Sequence, residues 1–230
     1  IFPHHENEIA QSEAATGKPF VRYWLHCVHL LVDGEKMSKS KGNFHTLRDL
    51  MKRGFAPTAV RYLLMATHYR DPLNFTEAGL AAAGNTVRNL NDFYRNLSFA
   101  KGTTRNDGLS GRVREAETAF GARLGDDLNI SAALAAVFDL VRDANIAFGR
   151  GAFDAANVAE VRAFLDKADT VLGVLEKGGD APPADVEALI RDREAARKAK
   201  NFKESDRLRD VLKEKGWLVE DTPGGTRWKK

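Results

Sequence analysis

The sequence predicts a mostly helical protein with a short α/β segment at its beginning and a small α+β unit at its end. Three observations indicate this fold class. Between residues 76 and 176, apolar residues recur at the three- and four-residue spacing of amphipathic helices. A short apolar, partly β-branched run, Val28–Val32, indicates a strand near the start. A Gly- and Pro-rich stretch, Lys177–Pro183, separates the last segment from the rest.

The first 75 residues are predicted to contain helices, one strand and an exposed loop. Pro3 suits the first turn of a helix over residues 3–16, which Gly17 ends. The turn signal Asp33–Gly34 follows the strand and leads into a segment too polar for a core. Two further helices are expected at residues 46–51 and 57–67.

The rest of the chain is predicted to be a helical bundle followed by a small terminal unit. Four amphipathic helices with polar connections are typical of a bundle, and their apolar stripes are assigned to its core. Two helices and a hairpin are expected after the linker. The expected ranges are 76–97, 112–124, 131–148 and 155–175 in the bundle, then 185–200, 202–215 and 217–230.

Composition excludes two classes of protein. Hydrophobic residues make up 43% and charged residues 29%, which is usual for a globular chain, and no apolar run approaches the roughly 18 residues of a membrane span. The single cysteine, Cys27, excludes a disulfide framework and a metal site built from cysteines alone. The chain starts without an initiator Met or a signal-peptide pattern, so we expect a cytoplasmic protein with more sequence upstream.

Positive charge is concentrated in two places. Residues 197–215 contain eight Lys or Arg and four Asp or Glu. Basic patches suggest contact with phosphates, although a solvated helix face has the same composition, and composition alone favours the latter. The second group is formed by four cations around a Ser- and Gly-containing stretch: Lys36, Lys39, Lys41 and Arg48.

That stretch contains the pentapeptide Lys36-Met37-Ser38-Lys39-Ser40. Two ammonium groups beside hydroxyls, next to the flexible Gly42, suit a loop that closes over a polyphosphate, and a solvated loop suits the same residue types equally well. As KMSKS after a strand, the segment resembles a signature of class I aminoacyl-tRNA synthetases. The resemblance implies that Lys39 and Lys36 contact ATP phosphates in the transition state of adenylate formation.

Within that class the chain is similar to the cysteinyl-tRNA synthetases. The match extends over essentially all 230 residues but only about the second half of a full enzyme. The family's His-Ile-Gly-His signature is absent, so we expect this chain alone to lack the N-terminal half of the active site. The residues that carry the resemblance are Phe2–Ser12, Val32–Glu35, Gly42–Phe44, Arg61–Leu64, His68–Arg70, Leu73–Phe75, Ala196–Lys200, Asp206–Asp210 and Glu220–Thr222.

The resemblance implies a domain order and a reaction. The order begins with the end of a Rossmann-like catalytic domain (1–45), which carries the segment Lys36–Ser40, called the lysine loop below. A helical connector near the tRNA stem (46–75), a bundle (76–176), a linker (177–183) and an anticodon-binding unit (184–230) follow. The reaction is ATP-dependent activation of cysteine to cysteinyl-adenylate and its transfer to the 3′ end of tRNA(Cys), with release of AMP and pyrophosphate. ATP with Mg²⁺, cysteine and tRNA(Cys) are the expected partners, a membrane is not, and a monomer is expected.

His4 and Glu8 are a candidate metal pair. They are four residues apart on a predicted helix, so both side chains project from one face. From the residues alone, a surface polar pair or a capping arrangement is favoured over a metal site. The resemblance implies zinc, one ion per subunit, held by His4, Glu8 and two cysteines outside this chain. A zinc–thiolate bond would select cysteine over serine, because a hydroxyl is a poor ligand.

The terminal unit combines cations, aromatics and carboxylates, as recognition of single-stranded RNA requires. The resemblance implies that it reads the GCA anticodon, while ordinary surface residues remain an alternative for each position. Elsewhere, we expect Cys27 to be a buried small residue and Trp24 to pack on the sheet, and we assign no role to His5 or Lys41. The residues in register with anticodon-facing positions are Arg197, Asp206, Arg209, Asp221 and Trp228.

Two other functions stay open. A related ligase that joins cysteine to a small amino sugar would use the same activation chemistry, but it would not need an anticodon-reading tail. A tRNA-binding module without catalysis would need neither the zinc pair nor the lysine loop. An upstream His-Ile-Gly-His motif with two suitably placed cysteines would favour the synthetase.

Overall fold

Helices account for most of the chain, which confirms the fold class expected from the sequence. A computed structural model describes residues 1–177, 182–222 and 225–229. None of the helices in those ranges is long and apolar enough to cross a membrane. The α-helices are α1 (His4–Thr16), α2 (Leu47–Lys52), α3 (Pro57–Ala66), α4 (Glu77–Asn96), α5 (Asp107–Gly125), α6 (Ile130–Gly149), α7 (Ala155–Leu172), α8 (Ala184–Lys198) and α9 (Phe202–Glu214).

A small three-stranded sheet lies before the bundle. Its strands are β1 (Leu31–Val32), β2 (Glu35–Lys36) and β3 (Asn74–Phe75), in the order β2-β1-β3. β1 pairs antiparallel with β2 and parallel with β3. The predicted strand 28–32 was too long and only partly buried: Val28 is 46% exposed, although its N–H donates to the carbonyl of Tyr69.

Helices α4 to α7 form the predicted bundle around one apolar core. α5 begins five residues before the predicted start, because the Asn106 side chain caps it by accepting from the N–H of Leu109. α7 ends at Leu172, three residues before its predicted end, because Gly173 adopts a left-handed conformation (φ 61°). α4 continues into a 3₁₀ turn at Leu97–Phe99.

A second core holds the lysine loop against the start of the bundle. Val32, Val60, Phe75 and Leu80 are buried together there, and Met37 of the loop packs against them. This core links β1 and β3 to α3 and the first turns of α4. The lysine loop therefore packs, through Met37 and this core, against the connector helix α3.

The terminal unit has its own small core. α8 and α9 pack beside the hairpin of β4 (Leu218–Thr222) and β5 (Gly225–Lys229), as the sequence predicts. Val186, Ile190, Leu212 and Trp217 form the centre of this core. Residues 178–181 of the predicted linker, 223–224 of the hairpin turn and Lys230 lie outside the described residues.

Candidate functional site

Hydrogen bonds at both ends of the lysine loop fix its backbone in a turn. Ser38 accepts from the N–H of Lys41 and so caps a 3₁₀ turn, Lys39–Lys41, while Gly42 follows with φ 69°. The Asn43 side chain accepts from the Ser38 N–H (2.8 Å) and donates to the Lys36 carbonyl (3.3 Å). The exposed loop predicted from polarity is thus an ordered turn anchored by Met37.

The three lysines of the loop differ in their surroundings. Lys41 donates to Glu35 at 2.8 Å, and this hydrogen bond and the lysine's charge lower the pKa of Glu35. The Lys39 ammonium lies 5.5 Å from the centre of the Phe44 ring. Within the described ranges no carboxylate pairs with Lys36 or Lys39. The two lysines predicted to bind phosphate are therefore exposed and unneutralised, whereas Lys41 is paired.

His4 and Glu8 lie on one face of α1, as their spacing predicts. His4 Nε2 is 3.5 Å from Glu8 Oε1, and both side chains are substantially exposed. No group of three or more His, Cys, Asp or Glu side chains able to hold a metal occurs among the residues the structure describes. The pair offers one nitrogen and one oxygen donor, which leaves two positions of a tetrahedral zinc site to other ligands.

Beside this pair, three aromatic rings are stacked. His5 stacks on Trp24, at 4.3 Å between ring centres, and on His26, at 4.8 Å, and the nearly parallel rings of Trp24 and His26 are 6.4 Å apart. Partial desolvation, followed by the charges of the amino terminus and the neighbouring imidazoles, lowers the pKa of His5. The expectation that Trp24 packs on the sheet was wrong, because this ring is 42% exposed and covers His5 instead.

Cys27 is exposed, so the prediction of a buried cysteine was wrong. Its thiol lines a largely apolar groove of about 400 Å³ between the strand region and the bundle. The cause is the shortness of the sheet, since only Leu31 and Val32 of the apolar run are paired in β1.

In the terminal unit, Asp221 is surrounded by arginines. Arg193, which has no exposed surface, donates to both Asp221 oxygens at 2.9 and 2.6 Å. Arg197 donates to the same carboxylate at 2.7 Å, and Arg209 lies at 3.5 Å. The hydrogen bonds from Arg193, followed by the charges of all three arginines, lower the pKa of Asp221. Arg193 was not among the residues predicted to bind RNA, because nothing in its local sequence distinguishes it from the other cations of α8.

The remaining candidates differ in exposure. Asp206 is 66% exposed and contacts Arg209 at 3.3 Å. Trp228 packs edge-to-face on Trp217 and on Phe99 of the bundle, at 5.5 and 5.4 Å between ring centres. Phe202, which sequence reasoning missed, is 59% exposed at the start of α9. An exposed aromatic ring next to lysines provides a flat surface on which an RNA base can stack.

Three family models match this chain. The model described as the class I (C) tRNA synthetase catalytic domain matches residues 1–85, which include His4, Glu8 and the lysine loop. The DALR domain matches residues 119–176, within the bundle. The cysteinyl-tRNA ligase anticodon-binding domain matches residues 180–228.

Curated relatives match over the whole chain. The cysteine–tRNA ligase of Protochlamydia amoebophila is 47% identical over an alignment of 233 positions, which covers 100% of this chain and 48% of the relative. The cysteine–tRNA ligase of Solibacter usitatus is 46% identical over 236 residues, again 100% of this chain and 50% of the relative.

The chain belongs to the cysteine–tRNA ligase family. It corresponds to the C-terminal half of these ligases and spans about half the length of the curated relatives that it matches. Among solved structures, the agnB2 LeuRS of Agrobacterium radiobacter K84, in a ternary complex with tRNA and LeuAMS, has a TM-score of 0.57. This likeness covers 73% of the chain and 24% of that protein at 18% identity, so it concerns the fold alone.

Proposed function

We propose that this chain forms the C-terminal half of a cysteine–tRNA ligase. The enzyme activates cysteine with ATP and Mg²⁺ and transfers it to the 3′ end of tRNA(Cys), releasing AMP and pyrophosphate. The observation that carries the proposal is the geometry of the lysine loop, an ordered turn anchored on the second core. It presents the exposed ammonium groups of Lys36 and Lys39, which have no carboxylate partner in the described part of the chain.

In this function the loop stabilises the charge that develops on the leaving pyrophosphate. Lys39 contacts the phosphates, Lys36 adds a second positive charge, and Met37 anchors the turn in the core. The hydroxyls of Ser38 and Ser40, which are 3.2 Å apart, donate hydrogen bonds to phosphate oxygens. Because the negative charge grows during the reaction, these contacts lower the activation barrier more than they strengthen ATP binding.

Cysteine selection is assigned to His4 and Glu8. A zinc ion held by this pair and by two cysteines from outside the chain would supply a soft metal centre that binds the substrate thiolate. The chain's own contribution is to fix one nitrogen and one oxygen donor on the same face of α1.

Recognition of tRNA is assigned to the terminal unit. We assign the hydrogen bonds to base edges to the exposed side chains of Arg197, Arg209 and Asp206. The half-buried Trp228, which packs on Trp217, is assigned the stacking role. The buried pair Arg193–Asp221 supports the unit from within, so the role of Asp221 in RNA binding includes holding these arginines in place. We place the enzyme in the cytoplasm as a monomer.

The test is cysteine-dependent pyrophosphate exchange by the full-length enzyme carrying this sequence. Lys39→Ala should lower the rate by about 10²–10³, as expected for removal of one preorganised donor, with little change in ATP affinity. Lys41→Ala is the matched control, because this ammonium is already neutralised by Glu35. Its exchange rate should stay within a few-fold of that of the unaltered enzyme.

Two results would contradict the proposal. No exchange by the unaltered full-length enzyme would favour a tRNA-binding module without catalysis. Exchange without any charging of tRNA(Cys) would favour a ligase for a small acceptor.

A further inference from the structure

Three consecutive residues after α3 all converge on one aspartate of the bundle. Arg70 donates to the Asp127 carboxylate from Nε at 2.5 Å and from Nη2 at 3.1 Å. Tyr69 donates its hydroxyl to the same carboxylate at 2.5 Å, and the His68 ring lies 2.9 Å from the Asp127 carbonyl oxygen. The cluster His68–Tyr69–Arg70 with Asp127 is called the joint below.

The backbone at the joint is left-handed at two successive residues that are not glycine. Asp127 and Leu128, between α5 and α6, have φ values of 53° and 55°, in the left-handed region that costs energy for residues other than glycine. Strained backbone of this kind persists where surrounding contacts fix it. Here the contacts are backbone hydrogen bonds at the end of α5, such as that from the Leu128 N–H to the Leu124 carbonyl, together with the three side chains of the connector. The hydrogen bonds from Arg70 and then Tyr69 also lower the pKa of Asp127 to about 2, which keeps it ionised.

The two segments that meet at the joint belong to different parts of the molecule. The carbonyls of Tyr69 and Leu73 accept from the N–H groups of Val28 and Leu31, so the connector is bonded to the strand that precedes the lysine loop. Asp127 lies at the end of the bundle where α5 gives way to α6. The joint therefore connects the part that carries the loop to the part that carries the terminal unit.

A second set of hydrogen bonds links α3 to the end of the bundle. The Arg61 guanidinium on α3 donates to the last carbonyls of α7, Leu172 at 2.5 Å and Val171 at 3.0 Å. Just beyond, the Asn91 side chain on α4 donates to the Val174 carbonyl at 3.0 Å and accepts from the Glu176 N–H at 2.6 Å. These bonds hold the segment that follows α7 against α4. The chain that leaves the bundle toward the terminal unit thus starts from a point whose position depends on α3.

From these contacts we infer that the joint is a positioning device for tRNA. It sets the direction of the bundle, and with it the terminal unit, relative to the lysine loop, so that an RNA held at one end is aligned with the reacting groups at the other. Alignment of bound reactants controls the rate of transfer without altering the chemistry at the loop. The inference rests on the proposed function. In this role residues 68–70 and 127 are positioning residues, which act through their contacts with one another.

The test compares two activities of the full-length enzyme. Asp127→Asn keeps the size of the side chain and removes its charge, and Arg70→Met removes its main partner. Each should lower kcat/KM for tRNA charging at least tenfold and leave cysteine-dependent pyrophosphate exchange within twofold. The double variant should be no worse than either single variant, because both remove the same contact.

The matched control is Asp143→Asn. Asp143 also accepts from an arginine on a neighbouring helix, Arg112 Nε at 2.8 Å, but this pair lies wholly within the bundle. The substitution Asp143→Asn should change neither tRNA charging nor pyrophosphate exchange. Tyr69→Phe, which removes one hydrogen bond and no charge, is a milder second variant and should give a smaller loss of tRNA charging in the same direction.

Hydrogen exchange supplies a readout that does not depend on activity. In Asp127→Asn, amides at residues 67–71 and 126–129 should exchange faster together, while those of α5 and α6 stay protected. Equal loss of both activities with lowered overall protection would mean a merely structural role and would overturn the inference, as would unchanged tRNA charging. If the unaltered enzyme shows neither activity, the proposed function fails, and the positioning role for tRNA fails with it, while hydrogen exchange still reports whether the joint couples the two segments.

Discussion

Removing the carboxylate of Asp221 should destabilise the terminal unit strongly, because it leaves a buried guanidinium without its partner. Arg193 has no exposed surface, and its Nε already has no hydrogen-bond partner among the residues that the structure describes. Breaking a buried ion pair from one side costs about 3–5 kcal/mol. Because 20% of the Asp221 side chain is exposed, we expect a value near the lower limit, about 3 kcal/mol, for Asp221→Ala.

This loss is large for a unit of this size. A small core such as that of residues 184–230 rarely supplies more than about 3–5 kcal/mol of stability. The pairs that Arg197 and Arg209 make with Asp221 add little, because both arginines are nearly half exposed and exposed pairs contribute about 0–1 kcal/mol each. Asp221→Ala should therefore bring the terminal unit close to unfolding while the bundle stays intact.

The assay is hydrogen exchange of amides in α8 and α9 at increasing urea, on the 230-residue chain. Asp206→Ala is the matched control: this carboxylate is 66% exposed and has one arginine contact, so its removal should cost less than about 1 kcal/mol. Adding Arg193→Met to Asp221→Ala should restore most of the lost stability, because an apolar side chain of similar length can replace the buried charge.

Two results would refute this reasoning. One is a loss below about 1 kcal/mol in Asp221→Ala, and the other is a double variant no more stable than the single one. The double variant also separates folding from recognition. If it is stable and, in the full-length enzyme, still fails to charge tRNA, Asp221 contributes to RNA binding beyond stabilising the fold, either by direct contact or by holding Arg197 and Arg209 in place.

Two further predictions concern the metal pair and the joint. In the full-length enzyme, His4→Ala or Glu8→Ala should reduce bound zinc below one per chain and raise the KM for cysteine far more than that for ATP, as measured by metal analysis and pyrophosphate exchange; full zinc with an unchanged cysteine KM would contradict the assignment. The pKa of Asp127 is about 2 in the folded chain and about 3.8 in the unfolded chain, so the unfolded chain binds the proton more readily between these values. The stability that Asp127 contributes should therefore be fully present above about pH 3.8 and be lost as the pH falls toward about 2. Unfolding midpoints measured from pH 5 to pH 2 should show a smaller decline in Asp127→Asn than in the unaltered chain, and equal declines would refute the shift.

Much of the fold could be predicted from the sequence because its signals are local. The 3.6-residue period of the apolar positions identified α4 to α7, and the Gly and Pro positions marked where several helices begin and end. α5 was predicted to start too late because its cap, Asn106, is supported by the distant Asn157, which accepts from the Asn106 N–H and donates to its carbonyl. A contact across 51 residues leaves no periodic trace in the sequence.

The candidate sites were predictable where chemistry is carried by a compact motif. The loop from Lys36 to Ser40 and the pair His4–Glu8 are of this kind, and their roles remain predictions that experiment must test. The contacts that support them were not predictable. Arg193 looks like any other cation in a charged helix, and Asp127 lies 57 residues from Arg70, so only the fold brings these partners together.

The most direct test of the account compares tRNA charging by the full-length enzyme with and without residues 184–230. Two transcripts are needed, tRNA(Cys) with its GCA anticodon and the same tRNA with a substituted anticodon. We predict that the truncated enzyme keeps cysteine-dependent pyrophosphate exchange, that the intact enzyme charges the GCA transcript preferentially, and that truncation abolishes this preference. Loss of pyrophosphate exchange on truncation, or an anticodon preference that survives it, would contradict the account.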